Sequence, residues 1–137
     1  MEFFSRIVLA TFVVLILLLG CSQRKDRIVS VAVHPTKPNI IYVATEEGVY
    51  KTRDGGRIWN RLTEGLRRIR VMNLIIDPRL PANVFAGTLA DGVYKSPDGG
   101  HRWLPRNKGI QKGMISANVN HLAFNPNDTQ ILYAATT

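Results

Sequence analysis

Apolar and polar residues alternate in three short stretches of the chain, Val29-Val31-Val33, Leu74-Ile76 and Leu122-Phe124. A period of two marks a half-buried β-strand, and each stretch runs into a proline turn, at Pro35, Pro78 and Pro126. After each turn comes a second stretch rich in β-branched and aromatic residues, at 40–45, 84–88 and 131–136. Residues 48–52 and 92–96 predict short third strands, and residues near 57–62 and 101–106 predict fourth strands. No segment carries the 3.6-residue apolar stripe of a helix.

The strands recur because the sequence recurs. Gly48-Val49-Tyr50-Lys51-Thr52-Arg53-Asp54-Gly55-Gly56-Arg57-Ile58-Trp59 returns 44 residues later as Gly92-Val93-Tyr94-Lys95-Ser96-Pro97-Asp98-Gly99-Gly100-His101-Arg102-Trp103. A period of about 40–45 residues is that of four-stranded propeller blades. The expected fold is therefore all-β, a partial β-propeller over residues 28–137. It holds two four-stranded blades and the first half of a third, which reaches only its second strand by Thr137. Even a minimal ring of about four blades would need roughly 176 residues at this period, against 117 after Gly20. A piece of a longer propeller is the expectation, ahead of several copies assembling or an open array that self-associates through its blade edges.

The repeated octets, Thr52 to Trp59 and Ser96 to Trp103, need a tight hairpin between third and fourth strands. Asp54 and Asp98 can accept backbone N–H bonds as Asx turns do, and Gly56 and Gly100 supply positive φ without Cβ strain. The hydroxyls of Thr52 and Ser96 can join that network, while Trp59 and Trp103 can pack over the turn or against the next sheet. The octets resemble the Asp-box, Ser/Thr-x-Asp-x-Gly-x-x-Trp, and the resemblance covers nearly all of residues 28–137. Asp-boxes occur in sialidases, xyloglucan-active glycosidases, sortilin-type receptors and photosystem II assembly factors. In those families the boxes sit away from the active face, so the resemblance implies an architectural role for these eight residues. Fold likeness does not choose among the functions.

The start of the chain is of a different kind. Residues 7–19 form an apolar run broken only by Thr11, too short for the roughly 20 residues of a membrane helix, and Leu18-Leu19-Gly20-Cys21 follows. This layout is that of a secretory signal peptide over residues 1–20. Gly20-Cys21 resembles the lipobox of bacterial lipoproteins, although Leu19 stands where Ala or Ser is commoner. The resemblance implies that Cys21 becomes the acylated first residue, with 21–27 as a polar tether. By analogy with lipoprotein sorting, Ser22 permits outer-membrane placement. Cys21 is the only cysteine, so the exported part has no disulfide.

Charge narrows the partners. The chain carries +8, and losing Arg6 and Glu2 with the signal leaves 17 basic against 9 acidic residues, +8 again. Such an excess favours anionic partners, and equally keeps an exported domain soluble. No basic helix or RNA-binding motif is present, so nucleic acid is not expected.

Candidate chemistry is sparse. Glycoside hydrolysis usually needs two carboxylates roughly 5–10 Å apart. Asp54 and Asp98 are committed to turns, and Asp77 and Asp128 stand beside prolines or turn residues. Glu46, Glu47, Glu64 and Asp91 remain, and the sequence marks no two of them as a catalytic pair. The Arg-Ile-Pro signature of sialidases is also missing, since Arg27-Ile28 is followed by Val29. His34, His101 and His121 have no metal-site spacing. His121 aligns with Ser30 and Asn73 on first strands, which by analogy line a propeller's wet channel. Arg67, Arg68 and Arg70 link the first blade to the second on the face opposite the octets, a candidate binding patch beside the Glu46-Glu47 and Ala90-Asp91 turns. The resulting expectation is a non-catalytic, envelope-anchored module without cofactor or metal, binding a protein or a glycan. A glycan hydrolase, or its remnant, is the alternative.

Overall fold

The computed structural model describes residues 27–62, 64–110 and 118–137; the signal segment and Cys21 lie outside the described residues, as does most of the tether. Ten strands follow in order, β1 (Ile28–Val33), β2 (Ile41–Thr45), β3 (Gly48–Thr52), β4 (Asn60–Leu62), β5 (Val71–Ile76), β6 (Val84–Thr88), β7 (Val93–Ser96), β8 (Leu104–Pro105), β9 (Val119–Phe124) and β10 (Leu132–Thr136). They make two four-stranded meanders, β1-β2-β3-β4 and β5-β6-β7-β8, and a two-stranded sheet, β9-β10, all antiparallel. Among the described residues there is no helix, and none long and apolar enough to cross a membrane.

Strand pairing sorts each blade into two faces, because residues directly opposite one another share a side. In the first blade Ala32 pairs with Tyr42, and Tyr42 with Lys51, on what we call the back face. Val31 pairs with Val43 on the front. In the second blade Ile75 and Phe85 lie on the back, with Leu74 and Ala86 on the front. The third has Ala123 and Tyr133 on the back, with Leu122 and Ala134 on the front.

The core consists of back faces laid on the next front face. Ala32, Tyr42, Ala44 and Val49 pack against Leu74, Val84 and Ala86 in one cluster, which Trp103 and Leu66 complete. Phe85 and Val93 meet Val119 and Leu122 in another, where the rings of Phe85 and Phe124 stand edge to face, 5.5 Å apart. Gly87 is required here, since a Cβ would come within 2.8 Å of Val119.

Two expectations change. The fourth strands are shorter, three and two residues, because the turn after each third strand consumes the octet. The first strand of the first blade is not half-buried like its repeats, since Val29, Val31 and Val33 are exposed. No blade lies over that front face among the described residues.

Candidate functional site

Each octet closes on itself through its aspartate and hydroxyl. Asp54 Oδ1 accepts from the Arg57 and Ile58 backbone N–H groups, at 2.9 and 3.0 Å, and from the Thr52 hydroxyl at 2.7 Å. Thr52 Oγ1 accepts in turn from Gly56 N–H at 3.0 Å. In the second octet Asp98 Oδ1 accepts from Arg102 N–H at 2.9 Å and from the Ser96 hydroxyl at 2.8 Å, while Ser96 Oγ accepts from Gly100 N–H at 2.7 Å. Arg102 Nε adds an ion pair to Asp98 at 3.2 Å. Such bonds favour the charged carboxylate. The N–H of Ile58 is the main cause that lowers Asp54, and that of Arg102 is the main cause that holds Asp98 at about 2.

The two tryptophans differ. Trp103 is buried and its indole N–H donates to the Gly100 carbonyl at 3.1 Å, whereas Trp59 is exposed over Gly56. The difference comes from the preceding connection. Glu64 C=O accepts from Trp103 N–H, Leu66 is buried beside the ring, and Gly65 lies against the Trp103 backbone. Trp59 has no such cover among the described residues.

The same connection carries the arginine cluster. Leu66 anchors it, while Arg67, Arg68 and Arg70 are exposed. Arg70 C=O accepts from Leu89 N–H at 2.9 Å, so the cluster runs beside the Ala90-Asp91 turn. Arg68 is held at φ 67°, a left-handed conformation uncommon for a non-glycine residue.

Between blades, polar side chains make repeated links. Ser30 Oγ accepts from Leu74 N–H at 3.0 Å, and Asn73 Oδ1 accepts from Leu122 N–H at 3.1 Å. These two therefore join neighbouring first strands, rather than simply facing a wet channel. His121, at the same position of the third blade, is exposed. The Tyr42 hydroxyl and the Lys51 ammonium both donate to the Gly99 carbonyl, at 3.0 and 2.7 Å, and the ammonium also lies 4.9 Å from the Tyr42 ring centre. Burial pushes Tyr42 up to about 12 and lowers Lys51.

At the next interface the counterparts, Phe85 and Lys95, keep the cation over the ring at 5.4 Å but line an open cleft of about 970 Å³. Leu132 forms part of its apolar wall, Arg79, Arg106 and Lys108 add positive charge, and Asp77 and Asp128 also line it. The outer edge of β10 borders this cleft and pairs with no strand among the described residues. Sequence reasoning missed the cleft, because its cations come from three separate segments. The Lys-after-aromatic pattern shared by blades one and two was the available signal.

The remaining carboxylates and histidines have structural tasks or none that converge. Asp77 is buried, which works to raise its pKa, yet N–H donation from Arg79 and Leu80 brings it below the usual range. Asp128 Oδ1 accepts from Gln130 N–H. Glu46, Glu47, Glu64 and Asp91 are all exposed. His34 Nδ1 accepts from Lys37 N–H at 3.2 Å in the proline turn, and its pKa is lowered, first by burial and then by the charges of Lys37 and Lys51. His101 lies 3.5 Å from an Arg53 guanidinium nitrogen. No group of three or more metal-ligating side chains occurs among the described residues.

No family model matches the chain. No curated protein matches it either. Among solved structures it is similar to the GH74 enzyme of Niastella koreensis, at 21% identity and a TM-score of 0.62, over 80% of this chain and 19% of that one. It is similar to an ancestral GH74 enzyme at 24% identity and a TM-score of 0.60, over 81% of this chain and 16% of the other. It also resembles YCF48 bound to D1 peptide, at 18% identity and a TM-score of 0.52, over 74% and 31%. The chain thus spans a fifth or less of these GH74 enzymes and under a third of YCF48. Both kinds of neighbour are β-propeller proteins, and the chain is an all-β, partial β-propeller.

Proposed function

We propose that the chain is a non-catalytic binding module of the cell envelope, tethered through acylated Cys21, whose basic cleft takes an extended, acidic protein segment. The observation that carries this reading is the pair of equivalent interfaces. Where Tyr42 and Lys51 grip a backbone carbonyl of the next blade, Phe85 and Lys95 line a cleft beside the outer edge of β10, which pairs with no strand among the described residues. A strand edge offers N–H and C=O groups to an added strand, which supplies affinity, and side-chain pockets supply choice. Lys95, Arg79, Arg106 and Lys108 outnumber Asp77 and Asp128 in the lining and favour carboxylates in that segment. The likeness to YCF48 bound to D1 peptide supports a protein ligand on this kind of scaffold.

The rival reading, a glycan hydrolase or its remnant, draws support from the GH74 likeness. It would need two of Glu46, Glu47, Glu64 and Asp91 to flank a sugar. The test sets both readings side by side. Fluorescence anisotropy of the full chain in detergent, with labelled acidic and basic peptides, should give binding of the acidic set alone. Lys95→Glu should weaken it roughly tenfold, equivalent to about 1.4 kcal/mol. Equal binding of both sets, or hydrolysis of a xyloglucan or sialoside that vanishes on replacing Glu46, Glu47 or Asp91, would overturn the proposal.

A further inference from the structure

The strand ends opposite the octets gather the arginine connection, two turns and the start of β1. Ile28 pairs with Thr45 beside the Glu46-Glu47 turn, Leu62 pairs with Val49, and Val71 pairs with Thr88 beside the Ala90-Asp91 turn. Arg67, Arg68 and Arg70 therefore lie at the same end of the array as Ile28, where residues 21–27 join the fold. Leu66 and Ile69 close their connection into a tight turn. The Ile69 N–H donates to the Leu66 carbonyl at 3.1 Å, and both side chains pack into the core, so Arg67 and Arg68 form the exposed tip. Arg68 stands at φ 67° in the third position of that turn, where glycine is the usual residue, as it is at nearby Gly65. Among the described residues the other non-glycine residue at positive φ is Ala90, whose turn is joined to this one by the Leu89 N–H on the Arg70 carbonyl. No hydrogen bond or ion pair engages the three guanidinium groups among the described residues, so the side chain of Arg68 does nothing to offset its own strain. Strain of this kind persists where the residue serves something other than the fold.

We propose that this arginine turn docks on an anionic lipid surface, seating phosphodiester headgroups against Arg67, Arg68 and Arg70 and holding the octets away from the bilayer. The inference rests on the envelope reading above, since acylated Cys21 would bring this end of the fold to the membrane. Guanidinium groups take phosphate oxygens through paired N–H donors. The buried Leu66 holds the tip in place, which leaves less to order on docking. Glu46, Glu47, Glu64 and Asp91 share this end, but Arg27, Arg106 and Lys108 stand with the three arginines, so positive charge prevails. The five residues of β3 separate this end from the octets by roughly 16 Å, more than the Debye length of about 8 Å in physiological salt. Cations at the octet end, such as Lys37, Arg53 and Arg57, are therefore screened from a bilayer that touches the arginine turn.

Partitioning of the full chain onto vesicles tests this, with phosphatidylcholine alone or in equal parts with phosphatidylglycerol. The N-terminal segment, acylated or not, is common to all variants. Differences between variants in the ratio of the two partition coefficients thus report the arginines, and their failure to appear is separate from a failure of Cys21 to be acylated. The wild type should prefer phosphatidylglycerol, and that preference should fall roughly fivefold for each arginine removed, on the order of a hundredfold for Arg67→Gln, Arg68→Gln and Arg70→Gln together. Lys37→Gln, Arg53→Gln and Arg57→Gln together remove the same charge from exposed positions at the octet end and should leave the preference nearly unchanged. Arg68→Gly should lose about fivefold yet melt no lower than the wild type, because glycine adopts this φ without strain. A wild type that binds both vesicles equally, an Arg68→Gly chain with full preference, or an octet-end triple variant that loses as much as the arginine-turn triple would each overturn the proposal.

Discussion

Replacing Asp98 with alanine isolates what an octet aspartate does. The carboxylate accepts from the Arg102 N–H and the Ser96 hydroxyl and pairs with the Arg102 side chain. Arg102 is exposed, so water can replace its acceptor at little cost, and the exposed ion pair adds little. Ser96 is fully buried, so its hydroxyl loses its acceptor without replacement. The cost is on the order of 1–3 kcal/mol, nearer the lower end. For a domain of this size that lowers the melting temperature by roughly 5–15 °C. The dependence on pH supplies a second arm. Because the folded carboxyl titrates at about 2, below its ordinary 3.8, its stabilisation is fully present above the unfolded value and is lost as pH falls through the folded one. After discounting for screening, this charged-state part amounts to about 1 kcal/mol. Thermal melts of wild type and Asp98→Ala should therefore differ most above pH 5 and converge between about pH 4 and pH 2. Asp98→Asn keeps an acceptor oxygen and should lose less, with no acid dependence from this site. A melting temperature unchanged by Asp98→Ala, or a gap that persists undiminished in acid, would refute the reasoning.

Gly65→Ala should destabilise by about 2 kcal/mol or more in denaturant titration, because its Cβ would sit 2.1 Å from the Trp103 carbonyl oxygen and its φ of +85° disfavours any side chain. A midpoint within error of the wild type would contradict the close approach of the first connection to the second blade. Cys21→Ser should move the chain from the membrane fraction to the soluble fraction and abolish labelling by a fatty-acid analogue. Retention in the membrane without label would point to an uncleaved N-terminal segment as the anchor.

The period-2 runs and the 44-residue repeat located the strands to within a residue or two, except that β5 and β9 begin three residues before Leu74 and Leu122 and that the octets shortened β4 and β8. These signals are local and need no partner. What a face meets is another matter. Val31 and Leu74 stand at the same position of the repeat with the same apolar character, yet one is exposed and the other buried. The difference lies in which blade comes before, and no window of sequence around Val31 contains that. The cleft escaped for the same reason, since Lys95 of the second blade and Leu132 of the third lie far apart along the chain and face each other only when the blades stack. Ser30 and Asn73 were legible as polar positions on first strands, but their bonds go to backbone groups more than 40 residues away.

In a repeat of this kind a residue's task depends on its neighbour blade as much as on its own chemistry. Lys51 shows how strongly. Its ammonium sits over Tyr42 and binds the Gly99 carbonyl, a cation used as an architectural donor and partly desolvated for it. Lys95 has the same stem, the same kind of aromatic beneath it and the same place on the third strand, yet faces the open cleft. The repeat thereby places a donor over an aromatic ring at the edge of this cleft. Pre-positioning of this sort reduces the side-chain ordering that binding must offset, by about 0.5–1.5 kcal/mol for a long side chain. The Phe85 ring is what holds Lys95 in place. Phe85→Leu, which keeps the apolar floor but removes the π face, should therefore weaken acidic-peptide binding while Lys95 itself remains.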